Sequence, residues 1–256
     1  MENNPSESIL TNVHGSKVIA DLAHEFKVEK FVMISTDKAV NPTSIMGTTK
    51  RIAEIYCQSL NKISSTRFIT TRFGNVLDSS GSVIPRFKKQ IEEGGPVTVT
   101  HPEVTRFFMT IPEACQLVLE AEAIGNGGEI FIFDMGKSVK IIDLAEKMIK
   151  LFGLILGKDI QIVFSGLRPG EKIYEELLND QEKTLPTHHP KIMIAKVREY
   201  DFENISKEIS ALINLFGAQN NEAIVRKMKE IVPEFVSHNS IYEKLDTEAR
   251  KVVAGN

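Results

Sequence analysis

The densest set of reactive side chains lies in the segment STDKAVNPTSIMGTTK, residues 35–50. Within it, Thr36, Asp37 and Lys38 bring a hydroxyl, a carboxyl and an amine together. They follow FVMIS, residues 31–35, an apolar run that predicts a buried strand, and open α/β sheets bind ligands at the carboxyl ends of strands. Three such groups at a strand end predict proton-transfer chemistry. The plainer alternative is a polar turn in which Asp37 bonds nearby backbone and Lys38 is solvated.

A helix is predicted directly after this turn, from about Ser44 to Leu60. Met46 and Lys50 are one helical turn apart in it and therefore share a face. A lysine on that face can reach a nicotinamide ribose. The alternative is an ordinary exposed helix lysine.

Candidate anion-binding residues lie further along the chain. Arg106 and Arg168 are candidate diphosphate ligands, because guanidinium groups bind phosphate oxygens through paired hydrogen bonds. Asn75 can both donate and accept toward sugar hydroxyls or a phosphate. Gly81 precedes a helix start at Ser82 and suits an anion held on backbone N–H groups. Taken singly, the arginines are also explained as surface charges, Asn75 as a turn cap, and Gly170 of the segment around Arg168 as a punctuating glycine.

Apolar periodicity predicts alternating helices and strands. Helices are predicted at 5–26, 44–60, 82–92, 112–123, 139–152, 171–178, 203–215 and 221–231. Strands are predicted at 31–35, 66–73, 96–100, 129–133, 160–164 and 191–195. The alternation predicts a parallel sheet covered on both faces. The segment LPTHHP, residues 185–190, is the best candidate boundary, and a mostly helical tail follows it.

The composition is that of a globular protein, with 42% hydrophobic and 25% charged residues. A net charge of −3 argues against a protein built to coat nucleic acid, and the absence of about 18 consecutive apolar residues argues against a membrane span. We expect no secretory signal. Cys57 and Cys115 fall in apolar helical patterns, which predicts buried free thiols in a reducing compartment. His101 and the His188–His189 pair lack a nearby ligand set, so no metal site is predicted.

The segment from Ser35 to Lys50 resembles the bacterial UDP-N-acetylglucosamine 4,6-dehydratases, which belong to the extended short-chain dehydrogenase/reductase superfamily. It is most similar to their large membrane-anchored group, where methionine replaces the tyrosine of the Tyr-x-x-x-Lys pair, as Met46 does here. Three further motifs occur in the family's order: RFGNVLDSSGSVIPRF (72–87), VTVTHPEVTRFFMTIPEA (97–114) and RPGEK (168–172). The resemblance runs from Met1 to about His189 and more loosely through the tail.

The resemblance implies a fold and a division of the chain. The fold is the C-terminal part of a Rossmann-like doubly wound parallel sheet, with a smaller α/β substrate-binding lobe and a helical tail. Residues 1–75 are expected to form the rear half of the nucleotide-binding domain. Residues 76–185 are expected to bind the nucleotide sugar and partly to return to the main sheet, and 186–256 to form a mostly helical extension.

The resemblance also implies a reaction and a set of site residues. The sugar is oxidised at C4 by NAD (or NADP), water is lost across C5 and C6, and the hydride returns to C6. Asp37 is expected to be the acid at the C6 oxygen and Lys38 the base at C5. The other implied catalytic residues are Thr36 near the C4 oxygen, Met46 at the usual tyrosine position and Lys50. The implied cofactor contacts are Asn12, Lys50 and Phe73. The implied substrate contacts are Asn75, Ser82, Val83, Arg106, Arg168 and Glu171.

The 256 residues contain no G-x-G-x-x-G, and the family's motif MExNPxE is at their start. Most of the cofactor site is therefore expected upstream of this chain. Without that part, one side of the strand at 31–35 lacks sheet neighbours, so we predict that the chain alone exposes apolar surface, folds poorly and is inactive. The expected location is cytoplasmic, with full-length relatives anchored in the inner membrane. The expected partner is a UDP-sugar, and a homodimer is compatible with the superfamily.

Two other functions remain open on the sequence. One is a related UDP-sugar 4-epimerase or configuration-inverting dehydratase, although each of these is expected to keep the tyrosine that Met46 replaces. The other is a non-catalytic partner that binds sugar nucleotide and completes or regulates another chain. A plain structural α/β fragment survives only if Arg106 and Arg168 prove irrelevant to binding.

Overall fold

The structure, a computed structural model, describes residues 1–79, 81–176 and 183–246. The α-helices in these ranges are α1 (Pro5–Ser8), α2 (Gly15–Glu25), α3 (Ile45–Asn61), α4 (Val83–Glu92), α5 (Ile111–Ile124), α6 (Ile141–Leu151), α7 (Phe202–Asn214) and α8 (Asn221–Ile231). The strands are β1 (Lys30–Thr36), β2 (Arg67–Phe73), β3 (Asn75–Val76), β4 (Val97–Val99), β5 (Thr105–Arg106), β6 (Phe108–Met109), β7 (Ile130–Phe133), β8 (Val139–Lys140), β9 (Ile162–Phe164), β10 (Lys183–Pro186) and β11 (Ile192–Lys196). A π-helical stretch, Ile9–His14, joins α1 to α2.

The main sheet has five strands in the order β1-β2-β7-β11-β10. The first three are parallel, which confirms the predicted parallel sheet, whereas β11 and β10 run antiparallel to their neighbours. The pairing of β1 with β2 places Thr36 beside Phe73, so these two strands end at the same edge of the sheet. The segments that follow these two strands therefore meet there, as expected of an open α/β sheet.

Helix α3 is the central helix behind this edge. The Ser44 side chain caps it by accepting a hydrogen bond from the Gly47 amide at 3.1 Å. Most of its residues are buried, and they share an apolar core with α7 and α8 of the tail. The two predicted tail helices are confirmed, and together they pack on α3.

A buried ionic cluster joins α3 to β2, and sequence reasoning did not identify it. Both nitrogens of the Arg72 fork donate to the Glu54 carboxylate, at 2.8 and 2.7 Å, and neither residue is exposed. Arg51 donates to Glu54 at 3.1 Å and to Glu234 of the tail at 3.1 Å. Burial alone would raise the pKa of Glu54, but the two guanidinium groups hold it below its usual value.

The smaller lobe has a core of its own. Strand β4 pairs in parallel with β9, and α4 and α6 pack on this pair. The buried side chains there are Phe87, Ile91, Val97, Val99, Val104, Ile141, Ala145, Met148, Ile149 and Ile160. Two short pairs, β3 with β6 and β5 with β8, connect the lobe to the main sheet. The predicted three-part division of the chain stays a prediction.

Two sequence predictions are wrong. The helix predicted at 171–178 is absent over 171–176, and its last two residues lie outside the described ranges. The segment instead runs beside β5, where the Thr105 amide donates to the Ile173 carbonyl at 3.0 Å. Cys115 is exposed on the outer face of α5, whereas Cys57 is buried in α3 as predicted.

Strand β1 is an edge strand of the main sheet within the described residues. Apolar side chains near it are exposed, including Ile34 at 45% and, on α2, Ile19 at 56%. The predicted poor folding and inactivity of the chain alone stay predictions. None of the helices in the described ranges is long and apolar enough to cross a membrane.

Candidate active site

The residues Thr36, Asp37 and Lys38 occupy a short 3-10 turn at the carboxyl end of β1. The Thr36 hydroxyl donates to Asp37 Oδ1 at 2.8 Å, and Lys38 Nζ donates to the same oxygen at 2.9 Å. The Asp37 side chain is fully buried, whereas that of Lys38 is 24% exposed. The second carboxylate oxygen, Asp37 Oδ2, is buried and has no hydrogen-bond partner. A buried acid with a spare oxygen beside an accessible amine is a reactive arrangement rather than a solvated turn.

Two glycines allow this turn to sit so closely against its neighbours. A Cβ atom at Gly47 would lie 2.1 Å from the Lys38 carbonyl oxygen, so α3 can begin there only without a side chain. A Cβ atom at Gly74 would lie 3.1 Å from Asp37 Oδ2. The first turn of α3 and the segment after β2 thus enclose the Asp37–Lys38 pair.

Asn75 connects this pair to the neighbouring cavity. Its Oδ1 accepts a hydrogen bond from Lys38 Nζ at 3.3 Å, and its Nδ2 donates to the Phe107 carbonyl at 3.1 Å. The same residue lines a cavity of about 250 Å³ between α4, β4 and the RPGEK loop, residues 168–172. The walls of this cavity include all six of the predicted substrate contacts: Asn75, Ser82, Val83, Arg106, Arg168 and Glu171.

The two arginines of the cavity, Arg106 and Arg168, are both held in place by the carboxylate of Glu171. Arg106 is largely buried, and its Nη2 lies 3.1 Å from Glu171 Oε1. Glu171 also accepts from the Thr100 hydroxyl at 2.9 Å and from the Arg168 amide at 3.0 Å. The carboxylate of Glu171 therefore orients one arginine side chain and fixes the backbone of the other.

Glu175 is a site residue that sequence reasoning missed. Its Oε1 lies 3.6 Å from Lys38 Nζ and 3.5 Å from Arg106 Nε, and its side chain is 3% exposed. Burial raises the pKa of this carboxyl. It lies in the segment predicted as a helix at 171–178, which is not helical over 171–176, and its carboxylate faces Lys38.

The predicted cofactor residues do not line the cavity; they lie in the π-helical stretch Ile9–His14, on α3 and at the end of β2. Asn12 Nδ2 donates to the Thr49 hydroxyl at 3.0 Å, so it adjoins Lys50. Lys50 is half-buried, and burial lowers its pKa. Phe73 stacks on Phe133 with ring centroids 5.6 Å apart. Met46 is half-buried in the first turn of α3.

The RPGEK loop is braced by distant segments. The Gly170 amide donates to the His238 carbonyl at 2.7 Å, and Asn239 Nδ2 donates to the Leu167 carbonyl at 2.7 Å. From the other side, the Thr43 hydroxyl donates to the Gly170 carbonyl at 2.9 Å. The tail is thus a structural support for one wall of the cavity. Among the described residues, no group of three or more His, Cys, Asp or Glu residues is arranged to hold a metal ion.

Comparison with known proteins identifies the family. The family described as "Polysaccharide biosynthesis protein" matches residues 1–197. The chain belongs to this family. It is 57% identical over 86% of its length to the capsular polysaccharide biosynthesis protein CapD of Staphylococcus aureus, and 36% identical over 79% to a UDP-N-acetylglucosamine 4,6-dehydratase (inverting) of Campylobacter jejuni. It covers 37% of the first relative and 55% of the second, so it spans only part of the length of each.

Solved structures agree on the fold. Pen from Bacillus thuringiensis is 36% identical, with a TM-score of 0.69 over 83% of this chain and 70% of its own. A dTDP-glucose 4,6-dehydratase of Bacillus anthracis in complex with NAD is 21% identical, with a TM-score of 0.55 over 61% of this chain and 56% of its own. These structures confirm the predicted Rossmann-like fold class, and the family match and the relatives named above confirm the predicted family.

Proposed function

We propose that this chain carries the dehydration centre of a nucleotide-sugar 4,6-dehydratase that acts on UDP-N-acetylglucosamine in bacterial polysaccharide biosynthesis. The observation that carries the proposal is the position of Asn75, which accepts a hydrogen bond from Lys38 and also lines the cavity that contains Arg106 and Arg168. The acid–amine pair and the anion-binding groups therefore adjoin. Two relatives named UDP-N-acetylglucosamine 4,6-dehydratase (inverting), at 35% and 36% identity, support the choice of substrate.

Residues on α3 fit the nicotinamide end of NAD (or NADP). The Lys50 ammonium is half-buried and has no hydrogen-bond or ion-pair partner among the described residues, so it is available to ribose hydroxyls. Asn12 and Phe73 are the other proposed contacts. When bound, NAD supplies the hydride acceptor and donor that oxidation at C4 and reduction at C6 require. The 256 residues contain no G-x-G-x-x-G, so we assign the cofactor's diphosphate site to residues outside them.

Residues of this chain carry out the proton transfers of the reaction. Lys38 is the base for the C5 proton, since its side chain is the accessible member of the pair. Transfer of its proton to Asp37 across the 2.9 Å hydrogen bond leaves a free amine and a neutral acid. Asp37 then protonates the C6 hydroxyl, which leaves as water. This step requires the Lys38 side chain to move away from the Asp37 carboxyl that it covers. Thr36 steadies Asp37 through its hydroxyl and stands near the C4 oxygen.

A UDP-sugar 4-epimerase is the second candidate. It is favoured by a 39% identity to a UDP-glucose 4-epimerase of Rickettsia canadensis over 70% of this chain. An epimerase needs a proton-exchanging group at the C4 hydroxyl, and Met46 has none to offer at the position of the usual tyrosine. The dehydratase assignment gives both Asp37 and Lys38 a role in proton transfer, and we favour it for that reason.

The test is conversion of UDP-N-acetylglucosamine by the intact protein that carries these residues, with products identified by mass and NMR. We expect a 4-keto-6-deoxy sugar nucleotide, and a loss of turnover of about 10²–10⁴-fold in Asp37→Asn and Lys38→Ala, the range for a lost proton-transfer group. Lys158→Ala, an exposed lysine outside the cavity, is the matched control.

Other outcomes choose among the alternatives. A C4-epimerised product that retains its C6 hydroxyl would establish the epimerase. Binding of the sugar nucleotide with no product at all would favour a non-catalytic partner. Full turnover in either variant would remove the pair from the mechanism.

A further inference from the structure

Glu175 lies between the two halves of the site, in contact with both Lys38 and Arg106, and the mechanism above gives it no role. Its carboxylate faces Lys38 and Arg106 directly, with Asp37 and Lys172 as the other charges acting on it. Its second oxygen, Oε2, is buried and has no hydrogen-bond partner. A buried carboxylate oxygen without a hydrogen-bond partner makes the ionised form of a carboxyl less favourable than the protonated form.

The charge on Glu175 decides whether Lys38 can act as a base. If Glu175 is ionised, the Lys38 ammonium is flanked by two carboxylates, and both favour its charged form. Passing its proton to Asp37 would then remove one of the two cations beside the buried Glu175 carboxylate and leave only Arg106. If Glu175 is protonated, the same transfer leaves three neutral groups, Lys38, Asp37 and Glu175. The reactive form of the pair is therefore favoured by a proton on Glu175.

Arg106 connects the protonation of Glu175 to the substrate cavity. Its guanidinium now lies 3.5 Å from Glu175 and 3.1 Å from Glu171, and it stabilises both carboxylates. A diphosphate bound in the cavity would compete for the same guanidinium, because phosphate oxygens accept paired hydrogen bonds from it. Glu175 would then lose part of the positive charge that favours its ionised form.

We propose that Glu175 is a positioning residue that couples diphosphate binding to the catalytic pair: when the diphosphate engages Arg106, Glu175 takes up one proton from solvent, and Lys38 is then free to pass its own proton to Asp37. One O–H bond forms on Glu175, and water or buffer supplies the proton. The inference rests on the proposed function for the roles of Lys38 and Asp37, but the proton uptake itself does not.

The expected pH dependence follows from the sign of the shift. Burial, the largest influence, and the neighbouring Asp37 charge raise the pKa of Glu175, while Lys38, Arg106 and Lys172 oppose that rise. Since the active form is protonated, turnover should decline as pH rises through the pKa of Glu175. A glutamine at this position is neutral at every pH, so that decline should move to higher pH in Glu175→Gln.

The experiment is calorimetric titration of the intact protein with UDP in buffers of different ionisation enthalpy, near neutral pH. We expect a net uptake of up to about one proton per UDP in the wild type and none in Glu175→Gln, because each single-site titration change is bounded by one proton. Glu176→Gln is the matched control, since that adjacent carboxylate is exposed and pairs with Lys172 rather than Lys38. It should keep the uptake.

The outcomes separate this inference from the function it rests on. UDP binding without proton uptake, or with equal uptake in Glu175→Gln, would overturn the coupling and leave the dehydratase proposal intact. Uptake that is lost only in Glu175→Gln would support the coupling even if no dehydration were found. Failure of UDP to bind would overturn both proposals.

Discussion

The strand-end turn, residues 36–38, and the RPGEK loop, residues 168–172, are positioned in different ways. The turn follows β1 without a break, is capped by its own Thr36 and is closed by α3, which begins a few residues later. The loop has no regular structure. Its Gly170 accepts a hydrogen bond from Thr43 and donates one to the His238 carbonyl, and Asn239 donates to the carbonyl just before the loop. The proposed chemistry thus depends on local chain geometry, whereas the proposed substrate binding depends on segments far apart in the sequence.

This difference has an energetic consequence. The turn is packed so closely that a single added methyl group has no room, and errors there should abolish function. The loop is equally tight at Gly170, where an added Cβ atom would lie 2.5 Å from Ser44 Cβ. Elsewhere it is held by individual hydrogen bonds worth about 0.5–1.5 kcal/mol each, so loss of one of them should weaken binding in a small step.

The largest effect is expected for Gly47→Ala. The new Cβ atom would meet the Lys38 carbonyl oxygen at 2.1 Å, which forces the turn away from α3. We expect destabilisation of about 1–3 kcal/mol, as for other overpacked sites, together with loss of turnover. Chemical denaturation of the intact protein measures the first and product formation the second.

Gly15→Ala is the matched control for that variant. Gly15 starts α2, and the nearest atom to an added Cβ there is a carbonyl oxygen at 3.7 Å. The replacement should stabilise the helix by about 0.5–1 kcal/mol, the usual difference between glycine and alanine. Equal destabilisation by both alanines would show that the turn is not uniquely constrained.

An intermediate effect is expected for Arg168→Ala. This arginine is exposed at the cavity wall, and its backbone already satisfies Glu171, so only its phosphate contact should be lost. A charge-assisted hydrogen bond is worth about 1.5–3 kcal/mol, which predicts a rise in KM of about 10–100-fold with little change in kcat. Arg198→Ala, an exposed arginine of the tail outside the cavity, should leave both constants unchanged. A fall in kcat alone would contradict a binding role for Arg168.

A smaller effect is expected for Asn239→Ala, which removes the tail's bond to the Leu167 carbonyl. One such bond predicts a rise in KM of about 2–10-fold, with kcat retained. Steady-state kinetics on the sugar nucleotide measure it. Asn214→Ala, in the same tail but without a side-chain hydrogen bond to its helix, serves as the control. If the control raises KM equally, the tail acts through general stability and not through the loop.

The smallest effect is expected for thiol modification. It should leave activity unchanged and show that α3, the helix behind the turn, does not open readily. Burial raises the pKa of the Cys57 thiol to about 12, while Cys115 is exposed. Because the thiolate is the reactive form, a thiol reagent near pH 8 should modify Cys115 alone, and both residues after denaturation. Counting modified thiols by mass spectrometry checks this. Rapid modification of Cys57 in the native protein would show that α3 opens readily.

The comparison also explains how much the sequence could reveal. The order of strand, polar turn and helix is local, so the turn and the Met46–Lys50 face could be predicted from spacing alone. Glu175 could not, because the segment that carries it pairs with β5 and reaches Lys38 from 137 positions away. The buried Arg72–Glu54 pair was hidden for a related reason, since charged residues in a strand and a helix ordinarily indicate exposed faces.

The most direct measurement is the reaction of UDP-N-acetylglucosamine with the intact protein in deuterated water. If Lys38 removes the C5 proton and solvent exchanges with it, the 4-keto-6-deoxy product should carry deuterium at C5, and Lys38→Ala should still bind UDP but form no product. NMR of the product at C5 gives the answer. A product without deuterium at C5, or an unchanged rate in Lys38→Ala, would contradict the assignment of the strand-end turn as the dehydration centre.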